Sequence, residues 1–110
     1  MEVKAIAKGL KGSAQKFRRV VNVVRDKKVA EALGILRFLP TPAAQQVAKV
    51  VKSAAANAEN NYQMSPANLK ISKIYANEGR TQRRFRPRSR GRVSPILKRS
   101  THVTVIVEEV

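Results

Sequence analysis

Arginine is concentrated in one short stretch of the chain, and it is the side chain here best suited to binding a charged partner. Residues 80–92 contain seven arginines, namely Arg80, Arg83, Arg84, Arg86, Arg88, Arg90 and Arg92. A guanidinium group donates paired hydrogen bonds to phosphate and stacks on exposed bases. No acidic residue occurs from Arg80 through Val107. A run of positive charges without nearby carboxylates predicts binding to a polyanion. Like charges repel one another, and such runs are usually segments that bind a partner.

The spacing of these arginines predicts an exposed arm. From Arg84 to Arg92 they recur at every second residue, and in a fully extended chain this would place five guanidinium groups on one face. Phe85 is the one aromatic residue of the stretch, so stacking on bases is expected to add little to the phosphate contacts. Pro87 and Gly91 interrupt regular pairing and are expected to shape a turn.

The charge of the whole chain leads to the same class of partner. The 110 residues carry a formal net charge of +16. Residues 1–28 hold nine basic and two acidic side chains, and residues 80–110 hold nine and two, whereas residues 29–79 hold five and three. Both ends are therefore expected to meet an anion, and nucleic acid is the first candidate because neutralised phosphates release counterions. The 43% apolar content predicts a folded body, since disordered basic tails lack core residues.

Other functional classes find little support in the residue types present. There is no cysteine, so disulfides and thiolate metal sites are excluded. His102 stands without triad partners, and Glu108 and Glu109 would face opposite ways in a strand. We therefore expect no catalytic residues, metal, cofactor or small-molecule substrate, and no enzyme. The N-terminus lacks a signal-peptide core and no apolar run could span a bilayer, so a soluble cytoplasmic protein without a membrane partner is expected.

The first part of the chain predicts a strand followed by a helix. Val3, Ala5 and Ala7 alternate with other residues, which is typical of a short strand, and Gly9 is expected to interrupt it. Ser13 is at a position where its hydroxyl could cap a helix. That helix has an apolar stripe of Phe17, Val20, Val21 and Val24. Its outer surface is basic, with Lys16, Arg18, Arg19 and Arg25.

Two further helices are predicted before the chain becomes β-rich. Val29, Ala32, Leu33 and Leu36 mark a short second helix that Pro40 ends. Thr41-Pro42 has the form of an N-cap followed by proline at the first helical position. The third helix runs through Val47 to Ala58, with many alanines that allow close packing.

The remainder of the chain predicts a long antiparallel hairpin. Alternating apolar residues begin at Leu69 and return near Val107, and pairing of these two residues would put the apex near Arg88. Such an arm would reach about 60 Å if straight, at roughly 3.3 Å per residue, so its distal half must protrude. The expected fold is α+β, a small antiparallel three-stranded sheet packed with three helices. Residues 1–110 form a single domain, with a helical body over 1–67 and the hairpin over 68–108, its arginine-rich tip at about 80–92.

Charge and topology leave two nucleic-acid partners open. Phosphate contacts position a protein without distinguishing RNA from DNA. An architectural DNA-binding protein with basic β-arms in the minor groove is the alternative, although seven arginines exceed what such arms require. A membrane-active polycation is less favoured, because the basic residues lie on a β-arm without a large apolar surface.

Four motifs resemble a known family. They are Ser13-Ala14-Gln15-Lys16-Phe17-Arg18, Ala56-Asn57-Ala58-Glu59-Asn60, Arg86-Pro87-Arg88-Ser89-Arg90-Gly91-Arg92 and Lys98-Arg99-Ser100-Thr101-His102-Val103. In this order and spacing they are similar to the universal L-twenty-two family of large-subunit ribosomal proteins, over essentially the whole chain. The resemblance implies an α+β body on the outside of the subunit and a hairpin that threads inward through ribosomal RNA, with its tip lining the nascent-peptide exit tunnel. It also implies a role in subunit assembly, with large-subunit rRNA, neighbouring ribosomal proteins and the nascent polypeptide as partners.

The resemblance also assigns roles to individual residues. Gln82 to Arg84 match the inward tip region, and the Ser13–Arg19 region matches the basic surface of the body. Arg86 departs from the family pattern, which is often apolar there. The residues expected to bind rRNA are Lys11, Lys16, Arg18, Arg19, Arg25, Arg80, Arg83, Arg84, Arg86, Arg88, Arg90, Arg92, Lys98 and Arg99. Those expected to face the tunnel are Gln82, Arg83, Arg84, Phe85, Arg86, Arg88 and Arg90.

Overall fold

The computed structural model of the protein describes residues 2–87, 89–91 and 93–109. Its elements, in chain order, are β1 (Glu2–Lys11), α1 (Ala14–Val24), α2 (Val29–Phe38), α3 (Pro42–Tyr62), β2 (Leu69–Glu78), β3 (Gln82–Pro87), β4 (Val93–Lys98) and β5 (Ser100–Glu109). Short 3₁₀ turns lie at Pro66–Asn68 and Ser89–Gly91. The predicted α+β class with three helices is confirmed.

The strands form two antiparallel sheets. β5 lies in the middle of a three-stranded sheet in the order β1-β5-β2, and β3 and β4 form a separate two-stranded sheet. β2 and β5 thus continue into β3 and β4 and form one long hairpin. The three-stranded sheet belongs to the body, whereas β3 and β4 form what we call the arm.

The core lies between the helices and one face of the three-stranded sheet. Alternate residues of the middle strand, Val103, Val105 and Val107, are fully buried, as the period of two requires. The predicted apolar stripe of α1 is buried on Phe17, Val20, Val21 and Val24. In α3 the small side chains of Ala54 and Ala58 are fully buried, so this helix packs closely against its neighbours.

Of two predictions about local structure at the N-terminal side, one was confirmed and one was wrong. Gly9 interrupts the first strand as predicted: it adopts a φ of 71°, and the ladder shifts at a bulge between Ala7 and Leu10 before β1 resumes its pairing with β5. Ser13 does occupy the N-cap position of α1, but its side chain makes no capping hydrogen bond. Its carbonyl oxygen instead accepts from the backbone N–H groups of Lys16 and Phe17. In α3, by contrast, the predicted Thr41 cap is confirmed, since its Oγ1 accepts from Ala44 N at 3.3 Å.

The register of the hairpin also differs from the prediction. Val107 pairs with Ile71, and Leu69 pairs with Glu109, two residues beyond the predicted partner. A bulge between Ile71 and Lys73 shifts the ladder by one further residue. In the arm, the last pair is Pro87 with Val93. The turn therefore lies between these two residues, and Arg88 itself is outside the described residues.

The protrusion of the arm is confirmed. Every residue of β3 is exposed, and the molecule measures 62 × 26 × 17 Å along its principal axes. Its radius of gyration is 16.9 Å, whereas a compact domain of this length would have about 13 Å.

Candidate nucleic-acid interface

The arm is attached to the body at a short neck, which we define as Gly79–Thr81 together with Arg99–Ser100. The last pair of the body ladder is Glu78 with Thr101, and the first pair of the arm is Gln82 with Lys98. Ser100 holds the two strands together between these pairs. Its hydroxyl donates to the carbonyl oxygen of Arg80 at 2.6 Å, and its own carbonyl oxygen accepts from Gly79 N at 2.9 Å. These bonds set the direction in which the arm leaves the body.

The loop between β1 and α1 is tied to the base of the arm. The buried hydroxyl of Thr101 donates to the carbonyl oxygen of Gly12 at 2.9 Å, and Gly12 N donates to the carbonyl oxygen of Arg99 at 3.2 Å. At the β1 bulge, Gly9 N donates to Nδ1 of His102 at 3.0 Å. The histidine thus has a structural partner in the sheet. These contacts bring the basic residues that follow β1 close to those of the neck.

A first groove runs beside the neck on the side of β1. It has a volume of about 810 Å³ and is formed by residues of β1, the neck and β4. Its cationic lining residues are Lys8, Lys11, Arg80, Lys98 and Arg99. Sequence reasoning had selected four of these but not Lys8. The excess of basic residues in 1–28 was the sequence signal that could have indicated Lys8. However, it is the pairing of β1 with β5 that brings Lys8 to this groove.

A second groove runs beside the neck on the side of α1. It is lined by the start of α1, by the neck and by both arm strands, and its volume is about 710 Å³. Arg18 of α1, Arg83 of β3 and Arg99 of the neck share this groove, together with one acidic residue, Glu78. Residues that are 81 positions apart in the sequence are therefore combined into one cationic surface that could cradle a phosphate backbone.

The arm has two chemically different faces. Gln82, Arg84 and Arg86 alternate with Arg83 and Phe85 along β3, so the two sets point to opposite sides. Lys98 pairs with Gln82 and adds to the basic face, whereas Leu97 pairs with Arg83 on the other. On the basic face, Nη2 of Arg84 donates to Oε1 of Gln82 at 3.4 Å.

The expectation that five arginines lie on one extended face was wrong. Only Arg84 and Arg86 share a face of β3 within the described residues, because β3 ends at Pro87. Arg90 is exposed in the 3₁₀ turn with a φ of 62°, and Gly91 follows with a φ of 70°. The chain therefore reverses direction there. Two of the arginines predicted to bind rRNA, Arg88 and Arg92, lie outside the described residues.

Arg18 of α1 and Arg25, which directly follows that helix, have a structural role that the sequence did not reveal. Nε of Arg18 donates to the carbonyl oxygen of Ala76 at 3.1 Å, and Nη2 of Arg25 donates to that of Ile74 at 3.1 Å. Both acceptors belong to β2, an edge strand, so the arginines cover backbone groups that would otherwise be open to another strand. Lys16 and Arg19 are exposed on the same helix.

The basic side chains of the interface have no carboxylate partner in the part of the chain that the structure describes. There, the one ion pair joins Lys27 and Glu31 in the body, with 3.7 Å between Nζ and Oε1. Among those same residues, no cluster of histidine, aspartate or glutamate could hold a metal ion. None of the helices described is long and apolar enough to cross a membrane. The arrangement is suited to electrostatic binding of a large polyanion.

A small α+β body with a protruding cationic β-arm and basic grooves at its neck defines a class of polyanion-binding protein. The family model described as ribosomal protein L22p/L17e matches residues 5–108. The chain is also 62% identical over 109 residues to proteins named large ribosomal subunit protein uL22 from Dehalococcoides mccartyi strains BAV1 and CBDB1, covering 99% of this chain and 100% of each relative. The chain therefore belongs to the ribosomal protein L22p/L17e family, a family of large-subunit ribosomal proteins.

Proposed function

We propose that this protein is a structural constituent of the large ribosomal subunit in the cytoplasm and that it binds large-subunit ribosomal RNA through its arm and neck. The observation that carries this proposal is the continuity of the cationic surface. It extends from the two neck grooves along the exposed arm, and no acidic residue interrupts the sequence from Arg80 through Val107. Membership of a family of large-subunit ribosomal proteins supports ribosomal RNA as the partner of this surface.

The physical mechanism is neutralisation of phosphates by side chains that have no carboxylate of their own. Each arginine or lysine that contacts a phosphate releases condensed counterions, and this release drives association. The neck grooves are preformed by hydrogen bonds from the side-chain hydroxyls of Ser100 and Thr101 to backbone carbonyl oxygens, so little conformational entropy is lost when RNA enters them. The exposed arm can then be enclosed by RNA on both of its faces.

The finer parts of the proposal concern assembly and the exit tunnel. An arm that extends beyond its own body can bridge RNA segments that the body alone could not reach, which would assist assembly of the subunit. The residues around the turn, including Arg90, are then the ones that would line the nascent-peptide exit tunnel and meet the nascent polypeptide. Neighbouring ribosomal proteins are further expected partners. The role is one of structure and binding, without a catalytic step.

The test is a comparison of binding to large-subunit ribosomal RNA and to duplex DNA of matched length, at several salt concentrations. A preference for the ribosomal RNA that persists near physiological salt is the expected result, because folded RNA offers shaped pockets for the arm as well as phosphates. Equal affinities that fall together as salt rises would overturn the proposal. That result would favour an architectural DNA-binding protein instead.

A further inference from the structure

The less basic face of the arm carries an exposed apolar surface. Phe85 is 70% exposed and Leu97 is 49% exposed. Leu97 pairs with Arg83, and Phe85 is two residues further along β3, so the three residues lie on the same face with Phe85 diagonal to Leu97. Two apolar side chains adjoining on one face of a protruding arm form a contiguous exposed apolar surface, which is the kind of surface that a partner can cover.

The charge around this surface limits the chemistry of that partner. Arg83 lies on the same face, Arg84 and Arg86 flank Phe85 in the sequence, and no carboxylate occurs in residues 80–107. The partner must therefore combine negative charge with a flat apolar surface. An unpaired nucleotide does so, since its base has a π-face and its phosphate is anionic. A base within a duplex does not, because its faces are covered by its neighbours.

We propose that the surface formed by Phe85 and Leu97 holds one unpaired base of an RNA, stacked on the Phe85 ring, with the Arg83 guanidinium on an adjacent phosphate. The inference rests on the proposed function and adds to it a contact that does not depend on charge. Stacking is tolerant of sequence because every base has a π-face. The site would thus recognise an unpaired nucleotide rather than a particular base.

The experiment uses the full chain and three RNA hairpins that differ only at one position of the stem. The first carries a single unpaired adenosine in its stem, the second has an abasic residue at that position, and the third is fully paired. Binding is measured at several salt concentrations for the wild type, Phe85→Ala, Phe85→Tyr and Phe38→Ala. Phe38 is 84% exposed at the end of α2, so Phe38→Ala removes an even more exposed ring away from the arm.

We expect the wild type to bind the unpaired-adenosine hairpin more tightly than the other two. Phe85→Ala should weaken that binding by roughly tenfold and abolish the difference between the three RNAs, since it removes the ring on which the base stacks. The salt dependence should be unchanged because the net charge is the same. Phe85→Tyr and Phe38→Ala should behave like the wild type.

Two results would overturn the inference. One is a wild type that binds the three hairpins equally, and the other is a Phe85→Ala variant that still prefers the unpaired adenosine. Since Phe85 is on an exposed strand, its replacement leaves the buried core intact, and circular dichroism verifies this. The proposed function is judged separately by the preference of the wild type for ribosomal RNA over DNA, so either can fail without the other.

Discussion

Nε of Arg18 in α1 donates a hydrogen bond to the carbonyl oxygen of Ala76 in β2, 3.1 Å away and 58 residues later in the chain. The bond joins the first helix to the edge of the sheet, close to the point where the arm begins. In the same way, Arg25 donates a hydrogen bond to the carbonyl oxygen of Ile74, which lies two residues before Ala76 in β2. A side chain whose type suggests only RNA binding thus also stabilises the body.

Replacing Arg18 should therefore reduce stability, and replacing its neighbour should not. We expect Arg18→Ala to lower the free energy of unfolding by about 1 kcal/mol, because it removes a side chain–backbone hydrogen bond. Arg19→Ala removes the same charge from an exposed position on the same helix, so a change within about 0.5 kcal/mol is expected. Urea denaturation of both variants measures the difference. Equal effects would mean that the Arg18 bond does not contribute.

The two predicted helix caps provide a matched pair for a second test. Thr41 accepts a hydrogen bond from Ala44 N, whereas Ser13 makes no side-chain capping bond. Thr41→Ala should destabilise the protein by about 1 kcal/mol, the usual effect of removing an N-cap. Ser13→Ala should have a much smaller effect. Thermal unfolding of the two variants measures the two losses of stability. A larger loss for Ser13→Ala than for Thr41→Ala would contradict the cap assignment.

At the neck, Gly79 has no room for a side chain. A Cβ there would lie 2.6 Å from Ser100 Oγ and 2.9 Å from Cε1 of His102. Gly79→Ala must displace Ser100 and weaken its bond to the Arg80 carbonyl, so we expect a decrease of about 1–2 kcal/mol in unfolding free energy.

Gly34 is the control for this substitution. It lies in α2, is exposed, and a Cβ there would meet nothing within 4 Å. Gly34→Ala should therefore raise stability by about 1 kcal/mol, as expected for glycine in a helix. Denaturation curves of the two variants should shift in opposite directions. A Gly79→Ala protein as stable as the wild type would show that the neck accommodates the methyl group.

The basic face of the arm should contribute measurably to the salt dependence of RNA binding. Replacing Arg84 and Arg86 together by alanine should lower the slope of log K against log salt by up to about two, nearly one for each phosphate that is no longer neutralised. Lys49 and Lys52 are exposed on α3, outside the neck and arm, and their double replacement should leave the slope nearly unchanged. Salt titrations with ribosomal RNA compare the two pairs. Slopes reduced equally would mean that the interface is not confined to the arm and neck.

Much of the fold could be predicted because its signals are local. The stripe from Phe17 to Val24 needs only a helical period to be recognised, and Thr41-Pro42 marks a helix start through the chemistry of two adjacent residues. The protruding arm followed from the length of the β-rich region and the density of arginine. The register of the hairpin could not be predicted in this way, because the place of the turn and of the bulge between Ile71 and Lys73 depends on how two distant strands pair.

The candidate site was predicted as a set of residues rather than as a surface. Lys8 was missed because nothing near it in the sequence distinguishes it from other exposed lysines, and its place in the first groove follows from the Gly9 bulge and the pairing of β1 with β5. The division of the arm into a basic face and a face with Phe85 and Leu97 needed the register of β3 and β4. Alternation along β3 separates Phe85 from Arg84 and Arg86, but it could not place Leu97 on the same face as Phe85.

The sequence by itself determined the net charge, the absence of cysteine, the helical and strand periods and the arginine density of the arm, since these are properties of residues and their near neighbours. The tertiary structure alone decided which cations share a groove, where the arm turns and which arginines in and directly after α1 bind the carbonyls of β2. The physical reason is distance along the chain. Arg18 meets Ala76, and Thr101 meets Gly12 across 89 residues, only after the core has brought their strands and helices together.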